Sequence, residues 1–485
     1  VRRALLAASA ATLLSPTLAL AGARPTFTPN DPLAPKQYYL TQDRAFDAFT
    51  TSLPPLAPVK VAIIDSGLDG SHPDLKGKVF AARSFVGGSA LTDDEGHGTF
   101  VAGEIAASIN NEQGIAGIAF PAELIVAKIA RSDASISVRD EAAAIRWAVG
   151  RGAQVINLSL GGLRDPRNPS QDTYSPVERN AVDYAYRHGA VLVAAVGNSD
   201  DAPRSPWPWA SYPAALPHVI GVSALTQTGG VASFSNRDRT YNDISAPGQS
   251  IFSTLPLGMT KLRPGCIDQG YSDCGPDEFV HASGTSFAAP QVTAAAAVLL
   301  ALKPSLRPDQ VSNILERSAT DMNASDGCTQ CPPGRDQYSG WGRLDIARAI
   351  AALSGKLPPA DRLEPNDDAG SHAAVLPAAV HRVTATLDFW DDPIDVYRVR
   401  LVAGQRFHAT LRGPVGSTTG LIVWRPGTVR VTGARSRGLR AAQSVGSSSI
   451  HRVAYRVPRT GWYYVEARLA SRNLHAYSYT LSISR

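Results

Sequence analysis

Hydrophobic and polar positions follow two different rhythms along this 485-residue chain. Between Pro58 and about Ser354, short β-branched runs alternate with longer stretches whose apolar residues recur every three or four positions. The runs "VKVAIID", "LIVAKI", "QVINLSL", "AVLVAAVG" and "HVIGVSA" are nearly continuous in hydrophobicity, which predicts strands of a parallel sheet buried on both faces. The stretches "GTFVAGEIAAS", "VRDEAAAIRWAVG", "VERNAVDYAYRHG" and "SFAAPQVTAAAAVLLAL" predict helices. Such alternation predicts an α/β unit doubly wound around a mainly parallel sheet, with its site beyond the carboxyl ends of the strands.

After Leu353 the rhythm changes. A Pro-containing stretch, "SGKLPPADRLEPNDD", reads as an exposed linker. Beyond it, segments such as "HRVTATLDF", "DVYRVRLVAG", "RFHATLRG", "GLIVWRPG" and "GWYYVEARL" alternate with turn residues, which predicts a separate all-β sandwich. At the other end, "VRRALLAASAATLLSPTLALAGA" has two arginines, an apolar run and small residues offering cleavage after Ala21 or Ala23. That is the make-up of a secretory signal peptide, with an apolar part too short for an anchor. The expected divisions are a leader at 1–23, an α/β unit with a short N-terminal extension at 24–355, a linker at 356–366 and a sandwich at 367–485.

Composition changes this picture in two places. Overall the formal net charge is only +5, but from Asp361 onward there are 17 arginines, no lysine and 9 acidic residues. That local excess suits a solvated arginine-rich surface, or attachment to an anionic one. The four cysteines of an exported chain favour disulfides, with three possible connectivities. The sequence-local pairing is Cys266 with Cys274 and Cys328 with Cys331; the wide step from Cys266 to Cys274 fits a zinc site poorly.

Three nodes of small residues carry candidate chemistry. The first strand delivers Asp65 at its carboxyl end, "DDEGHGTFVAG" sets His97 between two glycines at a helix start, and "SGTSFAAP" sets Ser286 at another. Alone, each has a common structural use: a serine caps a helix, a histidine between glycines sits in a loop, and an aspartate ends a strand in a turn. Together they supply what a serine nucleophile needs: an imidazole to take its proton and a carboxylate to fix that imidazole's tautomer. Small neighbours would let a substrate backbone approach the hydroxyl, and a helix start supplies free N–H groups for a developing oxyanion.

From about Asn30 to Leu353 the chain resembles the subtilisin-like serine proteases, through "IIDSGLDGSHPDL", "GHGTFVAG" and "GTSFAAPQV". The order Asp, His, Ser is that family's own. The resemblance implies Ser286 as nucleophile, His97 as general base and then acid, and Asp65 as the orienting carboxylate. It implies Asn198, in "VAAVGNSD", as the oxyanion amide, and Ser159, Leu160 and Gly161 as the edge that pairs with substrate. Gly161 and Gly197 would wall the specificity pocket, with Ser211 near its base. It further implies a structural Ca²⁺ held by side-chain oxygens of Asp74 and Asn111 and the carbonyls of Ile109, Gln113 and Ile115. Phe100 departs from the family pattern, where a second histidine is common. The tail resembles the bacterial pre-peptidase C-terminal domain, in which Asp391, Asp392 and Asp395 suit either a turn cluster or calcium.

The reading that follows is a secreted, calcium-stabilised serine endopeptidase acting on protein or peptide substrates, with broad preference for apolar or aromatic residues before the cleaved bond. The alternative is a silent protease scaffold serving as a binding protein, against which an intact triad argues. The chain is expected to be a monomer, with no nucleic-acid partner and no membrane segment once the leader is removed.

Overall fold

The computed structural model describes residues 26–131, 133–259, 278–432, 438–472 and 477–485. The expected leader, and Cys266 and Cys274, lie outside the described residues.

Seven strands form the main sheet: β1 (Val59–Asp65), β2 (Val79–Ser84), β3 (Ala122–Lys128), β4 (Val155–Leu158), β5 (Val191–Ala195), β6 (Val219–Leu225) and β7 (Ile244–Pro247). Their order is β2-β3-β1-β4-β5-β6-β7, and every pairing is parallel. The five apolar runs read from sequence are β1, β3, β4, β5 and β6. The reading missed β2 and β7. β2 alternates between half-buried and exposed positions at the sheet edge, and β7 is a four-residue stretch ending in proline.

Alternate residues of β1 enter opposite cores. Val61 and Ile63 pack into one cluster with the helix Ala289–Leu302, while Ala62 and Ile64 pack into another with the helices Val138–Gly150 and Pro176–Arg187. Burying each such valine or isoleucine contributes about 1.5–3 kcal/mol, which is why the run from Val61 to Ile64 is wholly apolar, with the one charged residue of β1 before Asp65, Lys60, only half-buried. The helix Ala289–Leu302 is buried at all but its last residue. Its alanines let the backbone approach the sheet closely. The span Thr285–Leu302 is long and apolar enough to cross a membrane, yet 89% of it is buried in the fold, as a core helix is.

The winding direction reverses between β3 and β4, which flank β1. That switch point opens a crevice beyond the carboxyl ends of β1 and β4.

The C-terminal unit is a sandwich. One sheet has the order β10-β12-β17-β14-β15 and the other β11-β18-β13-β16. Their strands are β10 (Ala374–Leu376), β11 (Arg382–Leu387), β12 (Ile394–Leu401), β13 (Arg406–Arg412), β14 (Thr419–Trp424), β15 (Arg440–Val445), β16 (Ile450–Arg456), β17 (Gly461–Leu469) and β18 (Tyr477–Ser484). β8 (Ile251–Thr254) and β9 (Phe279–Ala282) make a separate ribbon in the α/β unit. Phe407, Leu411, Val423, Tyr463 and Leu481 fill the sandwich interior. Trp424 does not join them: it packs with Val396 and Tyr464 in a second cluster, its indole N–H donating to Glu466 at 2.7 Å. An indole needs such a polar partner when buried.

The linker departs from expectation. Rather than an exposed strap, it is bonded down: Asp361, Glu364 and Asn366 are buried. The Asp361 N–H donates to Asp309 at 2.8 Å, and Gln310 and Arg187 donate to the Pro358 and Pro365 carbonyls. Arg179 pairs with Asp367 at 2.9 Å, and His372 pairs with Asp183 at 2.7 Å. Asp367 and His372, just past the linker, find charge partners on the helix Pro176–Arg187, and composition alone could not show that.

Candidate active site

Asp65 ends β1, and its Oδ1 accepts a hydrogen bond from His97 Nδ1 at 2.8 Å. His97 opens the helix His97–Ala106. Gly98 follows it because a Cβ there would lie 2.1 Å from the Gly67 carbonyl oxygen, so only glycine lets this helix start press against the end of β1. Asp93, which the sequence reading overlooked, organises the turn. It accepts from Ser66 Oγ at 2.8 Å, from Gly96 N at 2.9 Å and from Thr99 N at 2.8 Å. Its sequence signal is an aspartate shortly before the helix, a capping pattern.

Ser286 sits in a 3₁₀ turn, Thr285–Phe287, just before the helix Ala289–Leu302, rather than in that helix's first turn. Its hydroxyl donates to the Ser159 carbonyl at 3.2 Å, and among the described residues no hydrogen bond joins it to His97. Catalytic hydrogen bonds of this kind commonly tighten only when substrate is bound. Phe287 lies against the His97 ring at 5.3 Å and is backed by buried Phe100 at 4.4 Å. Phe100 therefore braces the imidazole through Phe287.

Burial works against a charged His97 ring, but the surrounding carboxylates, Asp65 first and then Asp93 and Glu95, together outweigh that effect, and its pKa is raised above 6.5. Glu95 is pushed up to about 7, first by burial and then by Asp65 and Asp93.

Asn198 follows β5. Its Oδ1 accepts from both the N–H and the hydroxyl of Thr285 at 3.0 Å, which fixes the amide and leaves its NH₂ as the donor next to Ser286. Asn198 and Ser286 both line a cavity of about 240 Å³. A serine and a fixed amide lining one cavity, with a carboxylate-held imidazole against the neighbouring Phe287, are the parts that acyl transfer would need.

The subtilase family profile matches residues 57–342, more than half of the chain. The chain belongs to the subtilase family. Over 313 residues it is 35% identical to fervidolysin of Fervidobacterium pennivorans, covering 61% of this chain but only 41% of that protein. It is 37% identical to subtilisin DY of Bacillus licheniformis over 270 residues, covering 56% of this chain and 86% of that one. Among solved structures, a protease from Pseudoalteromonas arctica PAMC 21717 matches with a TM-score of 0.53 at 26% identity, over 67% of this chain and 99% of that one. The match to fervidolysin thus spans less than half of that relative's length. As an enzyme class, this subtilase is a subtilisin-like serine peptidase.

The subtilase pocket beside Ser286 is lined by Leu160, Gly161, Leu163, Ala195, Gly197, Ala202, Ser211 and Asn236, with Asp201 as its charged member. Gly197 has φ +93, and a Cβ there would meet Ser211 Oγ at 2.3 Å; a Cβ on Gly161 would come within 3.0 Å of Ser211 Cβ. Ser211 thus lies between the two glycines. From sequence, Asp200 and Asp201 could reach the pocket rim; Asp201 does line it, and burial, then Asp200, raises its pKa. Among the described residues the backbones of Leu160 and Gly161 make no hydrogen bonds, so this segment offers an open edge.

In the loop that the family resemblance assigns to calcium, Asp74 Oδ1 is buried without a hydrogen-bond partner, as a carboxylate oxygen reserved for a cation would be. Its Oδ2 accepts from Ile115 N at 2.9 Å, and Asn111 Oδ1 accepts from Gln113 N at 3.0 Å. Ile109 packs against the core beside them. The sequence reading missed Asp31, whose carboxylate accepts from Asn110 N at 2.9 Å and Asn111 N at 3.2 Å. The oxygen donor set suits Ca²⁺.

A second, larger cavity of about 780 Å³ lies between the subtilase unit and the sandwich. Asp391 and Asp392 line it, whereas Asp395 sits with Asp361 and Glu364 in a buried group whose ligand atoms lie within 4.8 Å of one another. Burial, and then the neighbouring carboxylates, push Glu364 and Asp395 far above the usual carboxylate range. Cys328 and Cys331 are joined, with an S–S distance of 2.01 Å.

Proposed function

We propose that this subtilase is a secreted endopeptidase that hydrolyses peptide bonds through an acyl-enzyme on Ser286. His97 takes the serine proton and later gives it to the leaving amine, while Asp65 holds the ring in the tautomer whose Nε2 is free. The Asn198 amide and the Ser286 backbone N–H stabilise the oxyanion. The observation that carries this reading is the 2.8 Å pairing of His97 with Asp65, with the imidazole lying against Phe287, the residue next to Ser286 in the turn that lines the cavity with Asn198. Substrate adds a strand along Ser159–Gly161.

The pocket walls, mostly small and uncharged, favour large apolar or aromatic residues before the cleaved bond. Ca²⁺ at Asp74 and Asn111, with the carbonyls of Ile109, Gln113 and Ile115, stabilises the fold and takes no part in the chemistry. Secretion rests on the leader and on the relatives' kind. A fluorophosphonate should label the wild-type chain at Ser286 and leave Ser286→Ala unlabelled. Labelling that persists in that variant would refute the assignment. A cleavage profile led by lysine and arginine would refute the pocket preference and point to Asp201.

A further inference from the structure

The arginine excess of the C-terminal unit is not spread evenly. Eight of its nine acids fall between Asp361 and Asp395, and seven of those line the cavity against the subtilase unit. The sheet β11-β18-β13-β16 contains no acidic residue at all.

The pairing register gathers its cations on one face. Arg406 pairs with Arg456; His408 pairs with Ser484 and Ala454; Thr410 pairs with Ser482 and Arg452; Arg412 pairs with Thr480 and Ile450; and Arg382 pairs with Ser482. Side chains opposite one another in an antiparallel pair share a face. The intervening residues Val383, Phe407, Leu411, Val453 and Leu481 point into the sandwich core, so this set points outward. Arg382, Arg406, His408, Arg412, Arg452 and Arg456 are exposed, and among the described residues none of the five arginines has an ion pair or side-chain hydrogen bond. None of the six lines the inter-unit cavity. Arg382 and Arg452 stand roughly 14 Å apart, three strand spacings across the sheet, with Ser482 and Thr410 between them.

We propose that this face is a docking surface for an anionic polysaccharide, a linear chain bearing sulfates or carboxylates. Charge complementarity carries the choice of an anionic partner: five free guanidiniums with no acid among them attract a polyanion, and each can take a sulfate or carboxylate oxygen pair through its fork. The serine and threonine hydroxyls between them suit sugar hydroxyls. A lipid surface is disfavoured because Ile450 and Ala454 are the face's only aliphatic members, too little to enter a headgroup layer. Single-stranded nucleic acid calls for stacking rings, and the outward positions include no Phe, Tyr or Trp. Duplex DNA is read by an element that enters a groove, which a flat sheet face does not do. The proposal does not depend on the peptidase chemistry.

The test uses the full chain and heparin as the probe, with neutral dextran, anionic vesicles and duplex DNA as comparators. Heparin should bind with an affinity that falls as salt rises, because these exposed charges are screened. The variant Arg382→Ser/Arg412→Ser/Arg452→Ser should lose at least about tenfold in heparin affinity while peptide turnover stays unchanged. A control removing three exposed arginines of the subtilase unit, Arg139, Arg204 and Arg317, should change affinity by less than about twofold. If the triple variant does not fold, Arg406→Ser/Arg456→Ser tests the same face. Equal losses in test and control variants, no heparin binding at low salt, or tighter binding to vesicles or DNA would each overturn the proposal.

Discussion

Ser286 and Ser159 are locked to each other. The Ser286 hydroxyl donates to the Ser159 carbonyl at 3.2 Å, and the Ser159 hydroxyl donates back to the Ser286 carbonyl at 2.7 Å. Asn157 steadies Ser159 in turn, its amide donating at 2.9 Å. The turn carrying the proposed nucleophile is thereby tied to the segment proposed to pair with substrate. Ser159→Ala should leave the Ser286 carbonyl unpaired and lower kcat by about tenfold, at a cost near that of one lost hydrogen bond. A variant affected only in KM would mean that the pair does not position the nucleophile.

Asn198→Ala should lower turnover by about 10²–10³ with little change in KM, the loss typical of removing one oxyanion donor. Its Thr285 contacts are also lost, so Asn198→Asp, which keeps those acceptor oxygens but removes the NH₂, is the sharper comparison. If Asn198→Asp turns over like wild type, the amide is not an oxyanion donor.

Only neutral His97 can accept the serine proton, and its pKa is raised above 6.5. Activity should therefore rise with pH through an inflection above that value. Glu95 is one of the anions holding the imidazolium, so Glu95→Gln should move the inflection down. The sign follows from linkage: a raised histidine pKa favours the protonated ring, and removing an anion relaxes that preference. The pH dependence of kcat/KM in the two proteins decides it. An unchanged or higher inflection in Glu95→Gln would contradict the electrostatics.

Chelation should shorten the half-life at raised temperature without stopping hydrolysis at once, since a bound cation stabilises the native state by mass action. Asp74→Ala should make the half-life insensitive to added calcium. If calcium still protects that variant as it does wild type, the ion binds elsewhere, with the Asp361, Glu364 and Asp395 group as the next place to look.

A chain ending at Gly355 should keep peptide kcat/KM within a few-fold of wild type, because none of the linker's partners is among the residues assigned to catalysis. It should nonetheless melt earlier. Arg179 and Asp183, both largely buried, would lose Asp367 and His372. Thermal unfolding monitored beside peptide turnover separates the two effects. A hundredfold loss of turnover in a folded truncation would show that the sandwich helps build the site.

Local pattern alone determined much of this protein. Buried parallel strands announce themselves as apolar runs because both faces are covered, and a nucleophile turn must be built of small residues, so β1 was legible and Asp65, His97 and Ser286 stood out as candidates, whereas Asn198 came only from the family resemblance. Phe287 behind His97 and Asp31 bonded to the Asn110–Asn111 backbone were not legible, because each acts across a distance in sequence that periodicity does not span, and Asp93 was passed over although its place before the helix is a local capping signal. The same holds for the two polar surprises. Nothing in "ADRLEPNDD" says that Asp367 will meet Arg179, and no composition count says that Arg382, Arg412 and Arg452 share a face. Strand register decides the second and packing of the linker against a helix decides the first, and both are set by the whole fold rather than by neighbours along the chain.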